Sequence, residues 1–436
     1  MITARNSMGL IFFPAYDWAI SPSHPEREER LLYTQDQLWE EGVFDINGIR
    51  EFKPDIAVEQ DVMRAHFCFP DVARVTTSSH MISAGGAIRA ARLVMEGETD
   101  RAFALVRPPG HHAMKAVHGN RGFCNINNEA IMIEYIRDHY GRKKIALVDT
   151  DCHHGDGSQD MYWHDPDVLY ISIHQDGRTL YPGSGFVSEQ GGPNARGRTI
   201  NIPLPPETSE DGFLYTVENM VMPIIDDFKP DLIVNSAGQD NHYTDPITNM
   251  NFSAQGYALL NERLAPDIAV LEGGYSIQGA LPYVNLGIVL AMAGVDFSHV
   301  REPDYNKQAI QQSRQTDDYI KRLTDTVLKS YFDPDPDNSY VDSDGYAVKK
   351  KSIFYDTDGI RENQLESIRV CDSCAGVISI ESSSSVNELG LGIEIPFAAC
   401  DICRQEGMRL LEEARESGRY QTVQLINRPL KEYVRL

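Results

Sequence analysis

The stretch Lys144–Asp156, KIALVDTDCHHGD, constrains the fold more than any other part of the chain. It opens with a short apolar run, Ile145–Val148, preceded by basic residues. A run that short reads as a buried strand rather than a helix. Asp149, Asp151, His153, His154 and Asp156 follow at once. Ligands of open parallel α/β sheets bind beyond the carboxyl ends of the strands, where these groups would stand. Asp151 and His153 are two positions apart, so extended backbone puts both side chains on one side. A carboxylate beside an imidazole suits zinc or a similar divalent ion. Asp149 continues the same alternation.

The arrangement recurs along the chain. Ala102–Val106 reads as a strand that runs into Arg107-Pro108-Pro109-Gly110-His111-His112. The prolines and the glycine fix a turn, and the paired histidines after it are candidate general acids and bases. Val168–Ile173 is a further strand, ending in Ser172, Ile173 and His174. Leu232–Asn235 leads into Ser236-Ala237-Gly238-Gln239-Asp240. Asp240 is the third ligand candidate: Asp-His-Asp with one open position is the composition of a hydrolytic centre rather than a closed structural one. Ile268–Leu271 leads into Glu272-Gly273-Gly274-Tyr275. The two glycines leave room for a ligand, and the Tyr275 phenol can donate into it. Gly9–Phe13 is a first strand, and helices are expected over Glu26–Trp39, Thr77–Met95 and Glu302–Ser330. Strand, polar strand end and helix alternate, so the class is α/β with a mainly parallel sheet.

The formal net charge of -24 argues against unspecific binding to nucleic-acid backbones or anionic membranes. No apolar stretch approaches the ~20 residues that span a bilayer, and the N-terminus lacks a signal-peptide core. Seven unevenly spaced cysteines do not form a disulfide framework, which points to a reducing, cytoplasmic setting. Four of them make two CxxC pairs, Cys371/Cys374 and Cys400/Cys403, and suit a tetrahedral structural zinc. A hairpin from Val377–Glu381 and Gly392–Ile395 and a helix over Glu406–Glu416 complete a zinc-ribbon or treble-clef pattern. Such a small module needs its metal to fold, and it offers a surface for a partner or a homo-oligomer. The division expected is 1–332 catalytic, 333–347 an acidic linker and 348–436 the cysteine module.

RPPGHH (Arg107–His112), GFCNINN (Gly122–Asn128), DTDCHHGDG (Asp149–Gly157), YPGSG (Tyr181–Gly185), SAGQD (Ser236–Asp240) and EGGY (Glu272–Tyr275) occur in that order, after HPEREER (His24–Arg30). From about residue 8 to residue 300 the chain resembles the histone deacetylase and acetylpolyamine amidohydrolase family of the arginase/deacetylase superfamily. The resemblance implies a three-layer fold and hydrolysis of an acylated amine, either an acetyl-lysine peptide or an acetylpolyamine, to acetate and free amine. It implies a catalytic zinc on Asp151, His153 and Asp240, with His112 as general base and His111 beside it. Asp149 would hydrogen-bond His111, Asp156 would hydrogen-bond His112, and Tyr275 would polarise the carbonyl. Phe123 and Tyr181 would flank the substrate tunnel, with Gly273 and Gly274 facing the substrate. A potassium ion would take the side chains of Asp149 and Ser172 and backbone oxygens of Asp151, His153 and Ile173. Arg30 would line an internal channel for acetate.

An arginase-like centre with two manganese ions is disfavoured by His153, RPPGHH and Tyr275. A silent acyl-binding module is disfavoured because ligands, histidines and tyrosine are all present. Two departures stand out. The segment Ala113–Arg121 is slightly long, and its His118 and Arg121 are expected on a variable surface loop. Ile247 falls where polyamine-specific relatives carry an acidic residue.

Overall fold

The computed structural model describes residues 2–141, 143–336 and 341–436. Strands form in the order β1 (Thr3–Phe13), β2 (Asn47–Phe52), β3 (Phe67–Cys68), β4 (Arg101–Val106), β5 (Ala116–Val117), β6 (Ile145–Asp149), β7 (Val168–Gln175), β8 (Thr199–Leu204), β9 (Leu232–Ala237) and β10 (Ile268–Leu271). Eight of them build one all-parallel sheet, β2-β1-β4-β10-β9-β6-β7-β8. Its strands are apolar on both faces, as a covered parallel sheet requires. In β4, Phe103 and Leu105 enter one apolar layer while Ala102, Ala104 and Val106 enter the other. In β6, Ala146 and Val148 divide in the same way from Ile145 and Leu147. Helices Ala254–Leu264 and Leu281–Ala293 close the first layer, and Ser78–Met95 and Asn128–His139 close the second. The result is a three-layer α/β fold. Among the described residues no helix is long and apolar enough to cross a membrane.

Two expected helices are shorter than their apolar spacing suggests. Only Thr34–Glu40 of the Glu26–Trp39 stretch is helical. Residues 21–33 are turns because Glu26 and Arg30 are fully buried and bonded to distant partners. Glu26 accepts from Arg30 (2.8 Å) and from Arg107 (2.6 Å), and Arg30 reaches the carbonyl oxygens of Glu272 and Gly274. The helix expected over Glu302–Ser330 starts only at Arg314, where the Ser313 hydroxyl accepts from the Thr316 amide. Glu302 instead turns inward onto His242, at 3.1 Å.

The C-terminal part forms a second sheet in sequence order: β11 (Tyr346–Tyr355), β12 (Ile360–Arg369), β13 (Ile378–Ser384), β14 (Gly390–Ile395), β15 (Thr422–Asn427) and β16 (Glu432–Arg435). The expected hairpin is β13–β14. The helix Asp401–Ser417 crosses from β14 to its parallel neighbour β15. Within the expected linker, residues 337–340 lie outside the described residues, and β11 already begins at Tyr346.

This sheet sits directly on the three-layer part of the chain. Phe67, Phe69 and Ala116 share an apolar cluster with Ile368, Ile378, Ile380 and Ile426. A Cβ at Gly390 would meet the Phe69 ring at 2.3 Å, and one at Gly392 would meet Phe67 at 2.4 Å. The Gln424 side chain bridges both backbone groups of Cys68, at 3.1 and 2.6 Å. The contact corrects one expectation: Ala113–Arg121 is no surface loop. His118 and Arg121 are buried, and His118 lies between Ser382 (2.7 Å) and Asn387 (2.9 Å) of the C-terminal sheet.

A buried charge chain crosses the same interface. Glu394 pairs with Lys115 and with Arg428, and Arg428 also pairs with Glu134. Burial alone would raise the Glu394 pKa, but Arg428 and Lys115 outweigh it and hold it at about 2, against 4.5 normally. Its contribution to stability is therefore present above about pH 4.5 and is lost as pH falls toward 2. Glu394→Ala leaves Lys115 buried without a partner and Arg428 with Glu134 alone, at a cost of about 3–5 kcal/mol at neutral pH. Thermal unfolding from pH 7 to pH 2 checks this: the gap between variant and parent should close at the acid end.

Candidate active site

The adjacent strands β4, β10, β9 and β6 form the centre of the sheet and run in one direction, so their carboxyl ends open at one edge. The four polar segments read from the sequence meet there. Backbone amides fix the acidic side chains. The Asp151 amide donates to Asp149 (3.1 Å), the His153 amide to Asp151 (2.8 Å) and the Cys152 amide to Asp240 (2.8 Å). From β10, the Gly273 amide donates to the other oxygen of Asp151 at 2.7 Å.

One ligand atom each from Asp151, His153 and Asp240 lies within 4.8 Å of the others. His153 Nδ1 is 2.8 Å from Asp240 and 3.2 Å from Asp151. Both carboxylates are fully buried. Two buried carboxylates this close disfavour each other's charge unless a cation sits with them. A Cβ at Gly273 would stand 2.6 Å from an oxygen of each, so only glycine leaves the cluster its space. Two carboxylates and one imidazole around a protected space fit a divalent cation such as zinc.

The paired histidines differ in environment. Their rings stand 4.1 Å apart, centroid to centroid. His111 Nδ1 faces Asp149 at 3.1 Å, and His112 Nδ1 faces Asp156 at 2.9 Å. Burial lowers the His112 pKa, the neighbouring His111 lowers it further, and it rests at about 3 despite Asp156. For His111, Asp151 and Asp149 outweigh burial and hold the pKa well above 6.5. The two imidazoles thus stand in opposite surroundings: the carboxylates around His111 favour its charged form, and burial beside His111 favours the neutral form of His112. Beneath them, Glu272 accepts from the amides of Gly110 (2.8 Å) and His111 (3.0 Å). Burial and the neighbouring Glu272 together hold the Glu129 pKa well above its ordinary value.

Tyr275 is held by its amide, which donates to Asp245 at 2.8 Å. Arg30 stacks over its ring at 4.9 Å and donates to the Gly274 carbonyl at 2.7 Å. Burial keeps the phenol protonated. Tyr275 shares a cavity of about 280 Å³ with His111, His112, His153, Phe123 and Tyr181. Tyr181 meets His112 edge-on at 5.1 Å, and Phe123 meets Tyr275 at 5.7 Å. Phe123 has φ +70°, a backbone state that costs a non-glycine residue about 1–3 kcal/mol and aims its ring inward.

Ile247 lines the cavity as well, together with Pro109, Leu180 and Asp356. Asp356 went unnoticed in the sequence: its D-T-D-G turn is legible as a turn, but not its destination. Gly273 and Gly274 do not line the cavity; Gly273 packs on the ligand carboxylates and Gly274 on Gln239. Asp149 and Ser172 are register partners at the ends of β6 and β7, both fully buried, with Ile173 beside them in the core. The Ser172 hydroxyl lies 2.8 Å from His174 Nδ1.

Away from this cavity, the four cysteines of the CxxC pairs also converge. Cys371 and Cys400 sulfurs are 3.8 Å apart, Cys371 and Cys374 3.7 Å, and Cys374 and Cys400 3.9 Å. Tetrahedral zinc with thiolates at about 2.3 Å spaces its sulfurs about 3.8 Å apart. None of the four is in a disulfide. Asn194 of the three-layer part holds their first loop, accepting from the Cys371 amide and donating to the Arg369 and Ala375 carbonyls.

Comparison with known proteins agrees with this geometry. The histone deacetylase domain family matches residues 46–286, more than half of the chain. A probable deacetylase of Archaeoglobus fulgidus is 43% identical over 324 residues, 68% of this chain and 89% of that protein. The acetoin utilization protein AcuC of Bacillus subtilis is 31% identical over 68% of this chain and 84% of its own length. A histone deacetylase-like amidohydrolase of Pseudomonas aeruginosa is 36% identical over 51% of this chain and 60% of that protein. The crystal structure of the HDA15 HD domain shares the fold, with TM-score 0.63 and 24% identity over 74% of this chain and 95% of that one. With ligand cluster, histidine pair and tyrosine at the strand ends where the matched region runs, this chain belongs to the histone deacetylase family.

Proposed function

We propose that the chain hydrolyses an acylated amine, of the acetyl-lysine type, to a carboxylate and a free amine. The observation that carries the reading is the meeting of His112, His153 and Tyr275 in one cavity, with Asp156 behind His112. Asp151, His153 and Asp240 would hold a zinc ion, which supplies Lewis-acid polarisation of the amide carbonyl and of the attacking water. His112, neutral and oriented by Asp156, takes the proton of that water. The buried, protonated Tyr275 donates to the carbonyl oxygen as negative charge grows there. The protonated histidine pair then gives a proton to the leaving nitrogen, which is otherwise too basic to depart. Phe123 and Tyr181 hold the acyl chain and exclude water. Asp149 and Ser172, side by side at two buried strand ends, with backbone oxygens of Asp151, His153 and Ile173, suit a potassium ion. Four free sulfurs at tetrahedral spacing support a structural zinc on Cys371, Cys374, Cys400 and Cys403.

Turnover of an acetyl-lysine peptide by the metal-loaded chain, abolished by a hydroxamate chelator, tests the reading. Tyr275→Phe keeps the ring and removes only the donor, so kcat should fall about 10²–10³-fold. An unchanged kcat would show that the phenol takes no part.

A further inference from the structure

The C-terminal sheet lies outside the matched region, which ends at residue 286, yet one of its residues enters the catalytic cavity. Asp356 follows β11 directly. One oxygen of its carboxylate accepts from the Tyr181 hydroxyl and from the Gly122 amide, both at 3.0 Å. It is thereby pinned to two walls of the cavity. Asp358 anchors the same turn from behind, accepting from the Asn120 amide at 2.6 Å. A Cβ at Gly119 would approach Asp358 to 2.5 Å, so that loop is shaped to receive the turn.

Arg121 and His24 feel the charge of Asp356, but neither pairs with it. Phe123, Leu180, Tyr181 and Ile247 offer aromatic and apolar surface. Arg121, the nearby cation, is committed to Asp156 at 2.5 Å. His24 packs edge-on against Phe123, where burial lowers its pKa and keeps it neutral. Among the described residues no lysine or arginine forms an ion pair with Asp356, which remains exposed. An apolar tube with a carboxylate at its mouth matches an acyl chain inside and a cation outside. Charge-assisted hydrogen bonds are roughly twice as strong as neutral ones, and the net charge of -24 draws cations from a distance.

We propose that Asp356 determines specificity in this enzyme, selecting acylated amines that carry a second, protonated amine beyond the acylated nitrogen. The inference rests on the deacylase reading above. The C-terminal sheet is then part of the substrate site rather than an appended module.

The test uses the full metal-loaded chain and two substrates of equal length, N-acetylputrescine and its uncharged counterpart N-pentylacetamide, with an acetyl-lysine peptide as a third. The parent should favour the charged substrate at least tenfold in kcat/KM, and added salt should weaken that preference. Asp356→Asn keeps an oxygen acceptor for Tyr181 and Gly122 and removes only the charge. It should reduce the charged-to-uncharged ratio at least tenfold, chiefly through KM. Asp358→Asn, in the same turn but outside the cavity, should leave the ratio as in the parent. Turnover with an unchanged ratio in Asp356→Asn overturns this inference alone. No turnover of any of the three substrates by the parent overturns the deacylase reading, and the inference with it.

Discussion

His112→Ala should lower kcat by about 10²–10⁴-fold while leaving the fold and the catalytic metal in place. The expectation follows from where the side chain stands. His112 lines the cavity, whereas the ligand cluster consists of Asp151, His153 and Asp240, so truncation removes the base without removing a ligand. Its Nδ1 is engaged by Asp156, which leaves Nε2 as the atom that can accept a proton. Asp156 is itself paired with Arg121 and keeps a partner after the substitution, so no buried charge is stranded. The loss should therefore appear in kcat far more than in unfolding temperature. Steady-state rates on an acetyl-lysine peptide, taken with metal content, check it. A parent-like kcat would remove His112 from the chemistry, and a loss of bound metal in parallel would make it a structural residue.

The central sheet was legible because its strands are short apolar runs that end in chemistry. β4, β6, β9 and β10 each carry their functional residues immediately after the last apolar position, and parallel pairing does the rest. Local spacing also sufficed for Asp151 and His153, which the backbone sets side by side. It failed where a polar side chain is buried by a distant partner. Glu26 and Arg30 have helical spacing, but Arg107 and the carbonyls beyond β10 unwind that segment into turns. His118 and Arg121 read as residues of a variable surface loop, because nothing local tells that Ser382 and Asn387 will cover the first and Asp156 will pair with the second. Asp356 was beyond reach for the same reason. The two CxxC pairs were visible as a metal cluster, but their sheet docks through Phe67, Phe69 and the glycines facing them, more than 300 residues apart in sequence.

That docking sets the second large effect. Cys400→Ser together with Cys403→Ser should lower bound zinc from two equivalents to one and destabilise the C-terminal sheet by several kcal/mol, since structural zinc contributes folding free energy outright. Cys403 belongs to the apolar cluster of Val377, Leu391, Ile393 and Leu425, so the metal end and the sheet's own core are one unit. For an assembly of this size, a loss of that order lowers the first unfolding transition by about 10 °C. The tunnel should feel it too, because Asp356 is carried on the same sheet and holds Tyr181 and Gly122. Asp240→Asn is the complementary change: it should remove the other equivalent of zinc and all turnover while leaving the cysteine cluster loaded. Metal analysis and calorimetry on both variants separate the two centres. If the cysteine variant kept two equivalents of zinc and the parent's unfolding temperature, the four sulfurs would not be a metal site. If it lost zinc and stability but kept full turnover, the sheet would hold the rim without needing its metal, through Glu394, Lys115, Arg428 and the phenylalanine contacts alone.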